Sequence, residues 1–248
     1  MEITKKRLCI IDEIRGLAII YVVLYHFLYD LHVLFRVVNV PWLFSYTMQF
    51  VRVCTVVILM VISGISCHLS QGNLKRAVKI LMIGACISLL TFILYKDSFI
   101  LFGIFHYFGC AILIYELSKN IILKLPQKTF IIIFMLCFYI TYNVYNDYIY
   151  LIFTKLEFSS PNNIFFVPLG FSLDSFSSLD YYPMLPWIFP FLIGTLLGKS
   201  VKNSNLPKCL YKEHVPALSK IGRKTLLIYI LHQPLLFAIF YGMEFFNL

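Results

Sequence analysis

Charge is what this chain is short of. Only 13% of its 248 residues are charged, against 60% hydrophobic, and its mean hydropathy is +0.83. A soluble domain carries about a quarter charged residues and about 45–50% apolar ones, so a soluble globular fold is excluded for want of polar surface. A bilayer removes the difficulty, because lipid-facing residues stay apolar. Paired cysteines are lacking too. Cys9, Cys54, Cys67, Cys86, Cys110, Cys137 and Cys209 are scattered, form no CxxC pair and, in six cases, sit in apolar segments. That excludes a disulfide framework and leaves thiols as small core residues. No internal repeat is visible, which argues against a transporter built from inverted repeats. The net charge of +9 comes without a basic face interleaved with aromatics, so no nucleic-acid surface is expected.

What is present is a series of long apolar runs. A hydrocarbon core needs about 20 apolar residues per helix, and seven segments approach that: Leu8–Leu34, Leu43–Leu69, Ala77–Tyr95, Phe99–Leu117, Thr129–Tyr145, Pro183–Gly198 and Thr225–Phe245. The expected fold is an all-α, polytopic transmembrane bundle of about seven helices, one domain over residues 1–248. Asp12, Glu13 and Arg15 interrupt the first run, so it does not read as a cleaved signal peptide. Basic residues cluster in alternate loops: Lys5, Lys6 and Arg7; Lys75, Arg76 and Lys79; Lys119, Lys124 and Lys128; and Lys199, Lys202, Lys208, Lys212, Lys220, Arg223 and Lys224. The opposite loops hold Arg36, Lys96 and Lys155 among Asp97, Asp147, Glu157, Asp174 and Asp180. The positive-inside rule predicts a cytoplasmic N-terminus and an outer C-terminus. One long connection, about Asn146–Tyr182, falls on the outer side, as a lid or a tether.

Ionisable groups within such helices are costly unless buried and paired, and so point to function. The first helix carries Asp12, Glu13, Arg15, His26 and Asp30. At 100° per residue Asp12 and Arg15 share a face, and Arg15, His26 and Asp30 return to nearly one azimuth, a polar stripe about 22 Å long. His26 and Asp30 are one turn apart, the spacing at which a carboxylate orients an imidazole as a base. The same polar groups also serve to glue a helix into a bundle. His106, within Phe102–Gly109, and His232, within Leu231-His232-Gln233-Pro234, lie near mid-bilayer. Pro234 frees a backbone carbonyl that can line a cavity. Only His26 and Asp30 offer metal-ligand spacing on one helix, so no metal is expected. His32, His68 and His214 receive no role. Three prolines, Pro183, Pro186 and Pro190, are expected to break the sixth helix, and Ser63-Gly64-Ile65-Ser66 to let helices approach closely.

Taken in order, several stretches resemble the catalytic-domain family of heparan-α-glucosaminide N-acetyltransferase, polytopic membrane enzymes many of which are short and bacterial. They are Arg7-Leu8, Asp12, Arg15-Gly16 and Leu24–Leu31; Gly64-Ile65-Ser66; Gly103–Gly109; Asp180–Gly198; and Ile221-Gly222 through Tyr229 to His232. The resemblance implies transfer of an acetyl group from cytosolic acetyl-CoA to an amino sugar or glycan across the membrane, in a bacterial cytoplasmic membrane. Asp12 and Arg15 would sit by the CoA head, and His26, Asp30, His106 and His232 are the candidates for catalysis. His232 matches a late histidine of the family. His26 and Asp30 depart from the animal enzyme, which has an amide and glycines there, so His26 as base is an inference from chemistry. The partners expected are acetyl-CoA, the acceptor and the lipid bilayer, with a homodimer left open. A glycan O-acyltransferase and a small proton-coupled transporter remain as alternative readings.

Overall fold

The computed structural model describes residues 7–94, 96, 99–173, 176–203 and 206–245. Of the positions named above, Lys5, Lys6, Tyr95, Asp97 and Asp174 lie outside the described residues. Helices dominate: α1 (Cys9–Tyr29, prolonged by a π-helical turn over Asp30–Leu34), α2 (Tyr46–Leu69), α3 (Asn73–Leu94), α4 (Ile104–Ile122), α5 (Gln127–Thr141), α6 (Met184–Asn203), α7 (Pro216–Arg223) and α8 (Thr225–Phe245). Among the described residues, six stretches are long and apolar enough to cross a membrane: Cys9–Leu34, Tyr46–Leu69, Asn73–Leu94, Gln127–Asn146, Met184–Lys202 and Thr225–Met243. The remaining expected span forms as α4, but it starts at Ile104 and carries Glu116 and Lys119 near its end. α7 was not expected; its eight residues are too polar to register as an apolar run.

The prolines of α6 act less drastically than their number suggests. Leu185 is extended, with φ −90° and ψ 131°, as the residue before a proline must be. Regular helix therefore starts at Pro186, where the missing N–H costs nothing. Only Pro190 lies inside the helix.

Contacts divide the chain into two compact units, residues 1–59 with 205–248 and residues 60–204. In the first, α7 is clamped onto α1. A Cβ on Gly16 would lie 2.1 Å from the Leu218 carbonyl oxygen, and one on Gly222 would lie 1.7 Å from that of Asp12, so the two backbones touch where only glycine fits. Glu13 accepts the N–H groups of His214 (2.6 Å) and Val215 (2.9 Å). It thereby satisfies orphan donors at the entry to α7 and sets a negative charge at its N-terminus.

In the second unit, α2 and α6 meet at Gly64 and Gly194, each pressed against a backbone carbonyl of the other helix, as the small residues predicted. His68, given no role from sequence, is buried and joins α2 to α4 through the Tyr115 hydroxyl at 3.1 Å. Part of the long connection forms regular structure. Strands β1 (Tyr148–Leu151) and β2 (Thr154–Glu157) pair antiparallel, Tyr148 opposite Glu157, and a 3-10 turn follows over Ile164–Leu169. Asp180, at its end, accepts the N–H of Ile104 at 2.8 Å and so caps α4 from a distance in sequence. Some of the residue reaches the surface, but its carboxyl is enclosed, and that desolvation raises its pKa to about 6.

Two outcomes follow from this packing. Gly222→Ala is expected to lower stability by about 1–3 kcal/mol or more, the range for overpacking, whereas Gly72→Ala, which meets nothing within 4 Å, is neutral; melting in detergent measures both. Because folded Asp180 holds its proton more tightly than the unfolded chain, it favours folding most at low pH. That contribution declines as pH rises from the ordinary carboxyl value of about 3.9 to about 6 and is flat above. Melting curves from pH 4 to 7 are expected to lose this slope in Asp180→Asn.

Candidate functional site

The polar residues of α1 fall into two groups. At its N-terminal end Asp12, only 2% exposed, gathers three guanidinium groups. Arg7 binds it through both carboxylate oxygens (2.5 and 3.1 Å), Arg15 approaches at 3.5 Å and Arg223 of α7 at 3.7 Å. Arg223 also pairs with Glu213 and donates to the Ser219 hydroxyl. The Arg7 guanidinium, held by that hydrogen bond, has its pKa raised. A buried carboxylate needs such company. Arg15 and Arg223 keep part of their side chains exposed, 24% and 39%, so cationic surface remains for an anion.

Eleven residues beyond Arg15 along α1, His26 meets His232 of α8. The rings are 5.0 Å apart at 67°, an edge-to-face contact. Nδ1 of His232 lies 2.6 Å from the Tyr229 carbonyl oxygen. A carbonyl only accepts, so the proton is on Nδ1 and the lone pair on Nε2. That Nε2 is buried and has no hydrogen-bond partner. An oriented, unsatisfied imidazole nitrogen is what a general base requires. Here a backbone carbonyl plays the orienting part that the sequence reading assigned to Asp30 at His26.

Asp30 itself is fully buried, and neither of its carboxylate oxygens has a hydrogen-bond partner among the described residues. The expected His26–Asp30 side-chain pair is therefore not formed; only the Asp30 N–H bonds back to the His26 carbonyl. Gln233 Oε1 and the Tyr21 hydroxyl are likewise buried without partners. Arg52, in the first turns of α2, lies 5.9 Å from the centre of the Tyr25 ring, and that ring in turn meets His26 edge-on. Tyr21, Arg52 and Gln233 escaped the sequence reading. Arg52 was discoverable as a charge within an apolar run; Tyr21 and Gln233 gave no signal beyond polarity.

His106 belongs to the second unit. Ser88 donates its hydroxyl to the Ile100 carbonyl at 2.5 Å, so at the 3.4 Å contact between Ser88 Oγ and His106 Nε2 the imidazole donates. Its Nδ1 is then the acceptor, buried and unpartnered. Gly84 makes room for the ring, three of whose atoms would lie 3.1–3.2 Å from a Cβ there. Among the described residues no three His, Cys, Asp or Glu side chains are grouped to hold a metal ion.

Truncating Asp12 leaves three cations around an empty centre. Asp12→Ala is expected to destabilise the protein by about 3–5 kcal/mol, the range for breaking a buried ion pair from one side, measured by thermal unfolding of the detergent-purified chain. Arg7→Ala, whose side chain is 59% exposed, is expected to change stability by less than about 1 kcal/mol.

Comparison with known proteins agrees with the membrane-spanning apolar helices. No curated protein and no solved structure matches the chain. The family described as heparan-alpha-glucosaminide N-acetyltransferase, catalytic, matches residues 7–234, from the first arginine of the Asp12 cluster to the proline after His232 and Gln233. The chain therefore belongs to the heparan-alpha-glucosaminide N-acetyltransferase catalytic family, and is a membrane protein of acetyltransferase type.

Proposed function

We propose that the protein moves the acetyl group of cytosolic acetyl-CoA to an amino sugar or other glycan on the opposite side of the membrane. The chain works as one transmembrane acyltransferase-like domain over residues 1–248, with the N-terminus and the basic loops in the cytoplasm and the C-terminus outside. The observation that carries the reading is the free Nε2 of His232 beside His26, in a chain whose family transfers acetyl groups.

In this scheme Arg15, with Arg7 and Arg223 beside it, meets the phosphates of CoA. Asp12 contributes by holding the guanidinium groups in place. The acceptor amine attacks the thioester carbonyl carbon while His232 Nε2 takes its proton. The carbon–sulfur bond then breaks, and the proton returns to the departing thiolate. His26 supports the His232 ring and, with Asp30 and Gln233, supplies polar contacts for the reacting groups. His106, through its free Nδ1, is a second histidine able to bind or relay a proton. A glycan hydroxyl would use the same base, giving an O-acetyl product.

Purified protein is expected to bind acetyl-CoA at submillimolar concentration, and Arg15→Ala to weaken binding about tenfold, the worth of one charge-assisted hydrogen bond. Absence of binding at millimolar acetyl-CoA in the wild type overturns the proposal. His232→Ala is expected to lower turnover by about 10²–10⁴, the usual contribution of a positioned base, with acetyl-CoA affinity unchanged. Normal turnover in His232→Ala, with turnover lost in His26→Ala or His106→Ala, would assign the base to that histidine instead.

A further inference from the structure

The hairpin between α5 and α6 has an apolar tip where a hairpin in water is polar. Its two turn residues are Ile152 and Phe153, between Leu151 of β1 and Thr154 of β2. Two-residue turns favour Asn-Gly or a leading glycine, because positive φ is required there. Ile152 takes φ 58°, a left-handed position that a β-branched residue rarely occupies. Phe153 is 95% exposed, and Leu151 and Ile152 are exposed beside it. Three consecutive exposed apolar residues at a strained turn suit acyl chains and not water.

The neighbouring helix supplies the surface that the tip continues. α5 lies within Gln127–Asn146, long and apolar enough to cross a membrane, and has no buried residue. Phe134 and Phe138 face α6, their ring centres 6.1 Å from Phe189 and 5.8 Å from Trp187. Ile132, Leu136 and Tyr139 recur at helical spacing on the opposite side of α5 and are all exposed, a strip that faces lipid. The hairpin folds back onto that strip. The Tyr139 hydroxyl donates to the Ile152 carbonyl at 2.8 Å, and the Tyr139 and Tyr150 rings stack at 6.4 Å. The turn is therefore tied to a residue seven positions before the end of the span. The same hydrogen bond satisfies a carbonyl that acyl chains would leave orphaned.

Charge is drawn away from the tip. Lys155 stands opposite Tyr150, two residues from Phe153, yet its Nζ lies 4.4 Å from the centre of the Tyr148 ring and 2.7 Å from a Glu157 carboxylate oxygen. Tyr148 and Glu157 face each other at the foot of the hairpin, so the ammonium group is directed there. A lysine adopts that posture when its charge stays among headgroups while its neighbours enter an apolar layer. We infer that the hairpin is an interfacial anchor: Leu151, Ile152 and Phe153 dip into the acyl region of the leaflet at the Thr141 end of α5, with Tyr148, Lys155 and Glu157 among the lipid headgroups. The open edges of a two-stranded sheet keep the strands themselves at that hydrated boundary. The connection is thereby held against the bilayer, as neither a lid nor a loose tether. All of these residues belong to the unit 60–204, and the inference is independent of the acetyl-transfer reading.

The test places the full-length chain in vesicles of phosphatidylcholine brominated near the glycerol end of its acyl chains, and reads tryptophan fluorescence. The wild type, with Trp42 and Trp187, gives the background to subtract. An interfacial segment sits about 5–10 Å into the headgroup and acyl boundary, so the indole introduced by Phe153→Trp is expected to lose about half or more of its emission to the bromolipid. Acrylamide in the water is expected to quench it weakly. Leu151→Trp, at the end of β1, is expected to report the same order. Ser159→Trp, an exposed position two residues past β2, is expected to report the reverse. Strong acrylamide quenching of Phe153→Trp and Leu151→Trp puts the tip in water. Protection from both quenchers puts it under protein, as a lid or against a second copy. Either result overturns the anchor.

Discussion

Two adjacent buried carboxylates, Asp12 and Glu13, hold α7 against α1, and the position of α8 follows from that contact. Asp12 draws in Arg7, Arg15 and Arg223; Glu13 satisfies the backbone donors that open α7. Neither arrangement would suffice without Gly16 and Gly222, because side chains there would drive the backbones apart. Charge and the absence of side chains thus cooperate. The glycines allow close approach, and the carboxylates at the junction then face their partners, Glu13 at hydrogen-bond distance and Asp12 as an ion pair with Arg223 at 3.7 Å.

The consequence reaches the histidines. α8 begins at Thr225, right after α7 ends at Arg223, so docking α7 also sets where α8 departs. From Gly16 to His26 is ten residues, and from Gly222 to His232 is ten residues. The first ten lie along α1, while the helix breaks at Lys224 and α8 then carries His232 to His26, where the rings meet at 5.0 Å. A junction near one end of the helices thus bears on a pair deep inside them.

The interior around that pair breaks the usual rule that buried polar atoms are satisfied. Tyr21, Asp30, His232 and Gln233 each keep at least one enclosed atom without a partner. Four such residues in one unit amount to a substantial desolvation cost, and a ligand or water that supplied partners would recover it. A π-helical turn starts at Asp30, a local departure of the kind common at functional sites. The unit accepts local instability where chemistry is expected and rigidity at Asp12 and Gly222, where it is not.

Much of this was legible from residues alone. Hydrophobic run length is a one-dimensional property, so the helices, the membrane class and the intramembrane His26, His106 and His232 could be read directly. So could the small residues at Gly64. Azimuth on an isolated helix shows which residues share a face, but not which partner each one finds. Arg15, His26 and Asp30 read as one stripe, yet Arg15 turns to Asp12, His26 to His232, and Asp30 to neither. The proton position on His232 depends on a carbonyl three residues back at 2.6 Å, a distance no spacing encodes. Composition and periodicity by themselves determined what must be buried in lipid and which polar groups must be paid for. Only the packing of α7 and α8 against α1 decided which of those groups face one another, because hydrogen bonds depend on distances between helices far apart in sequence.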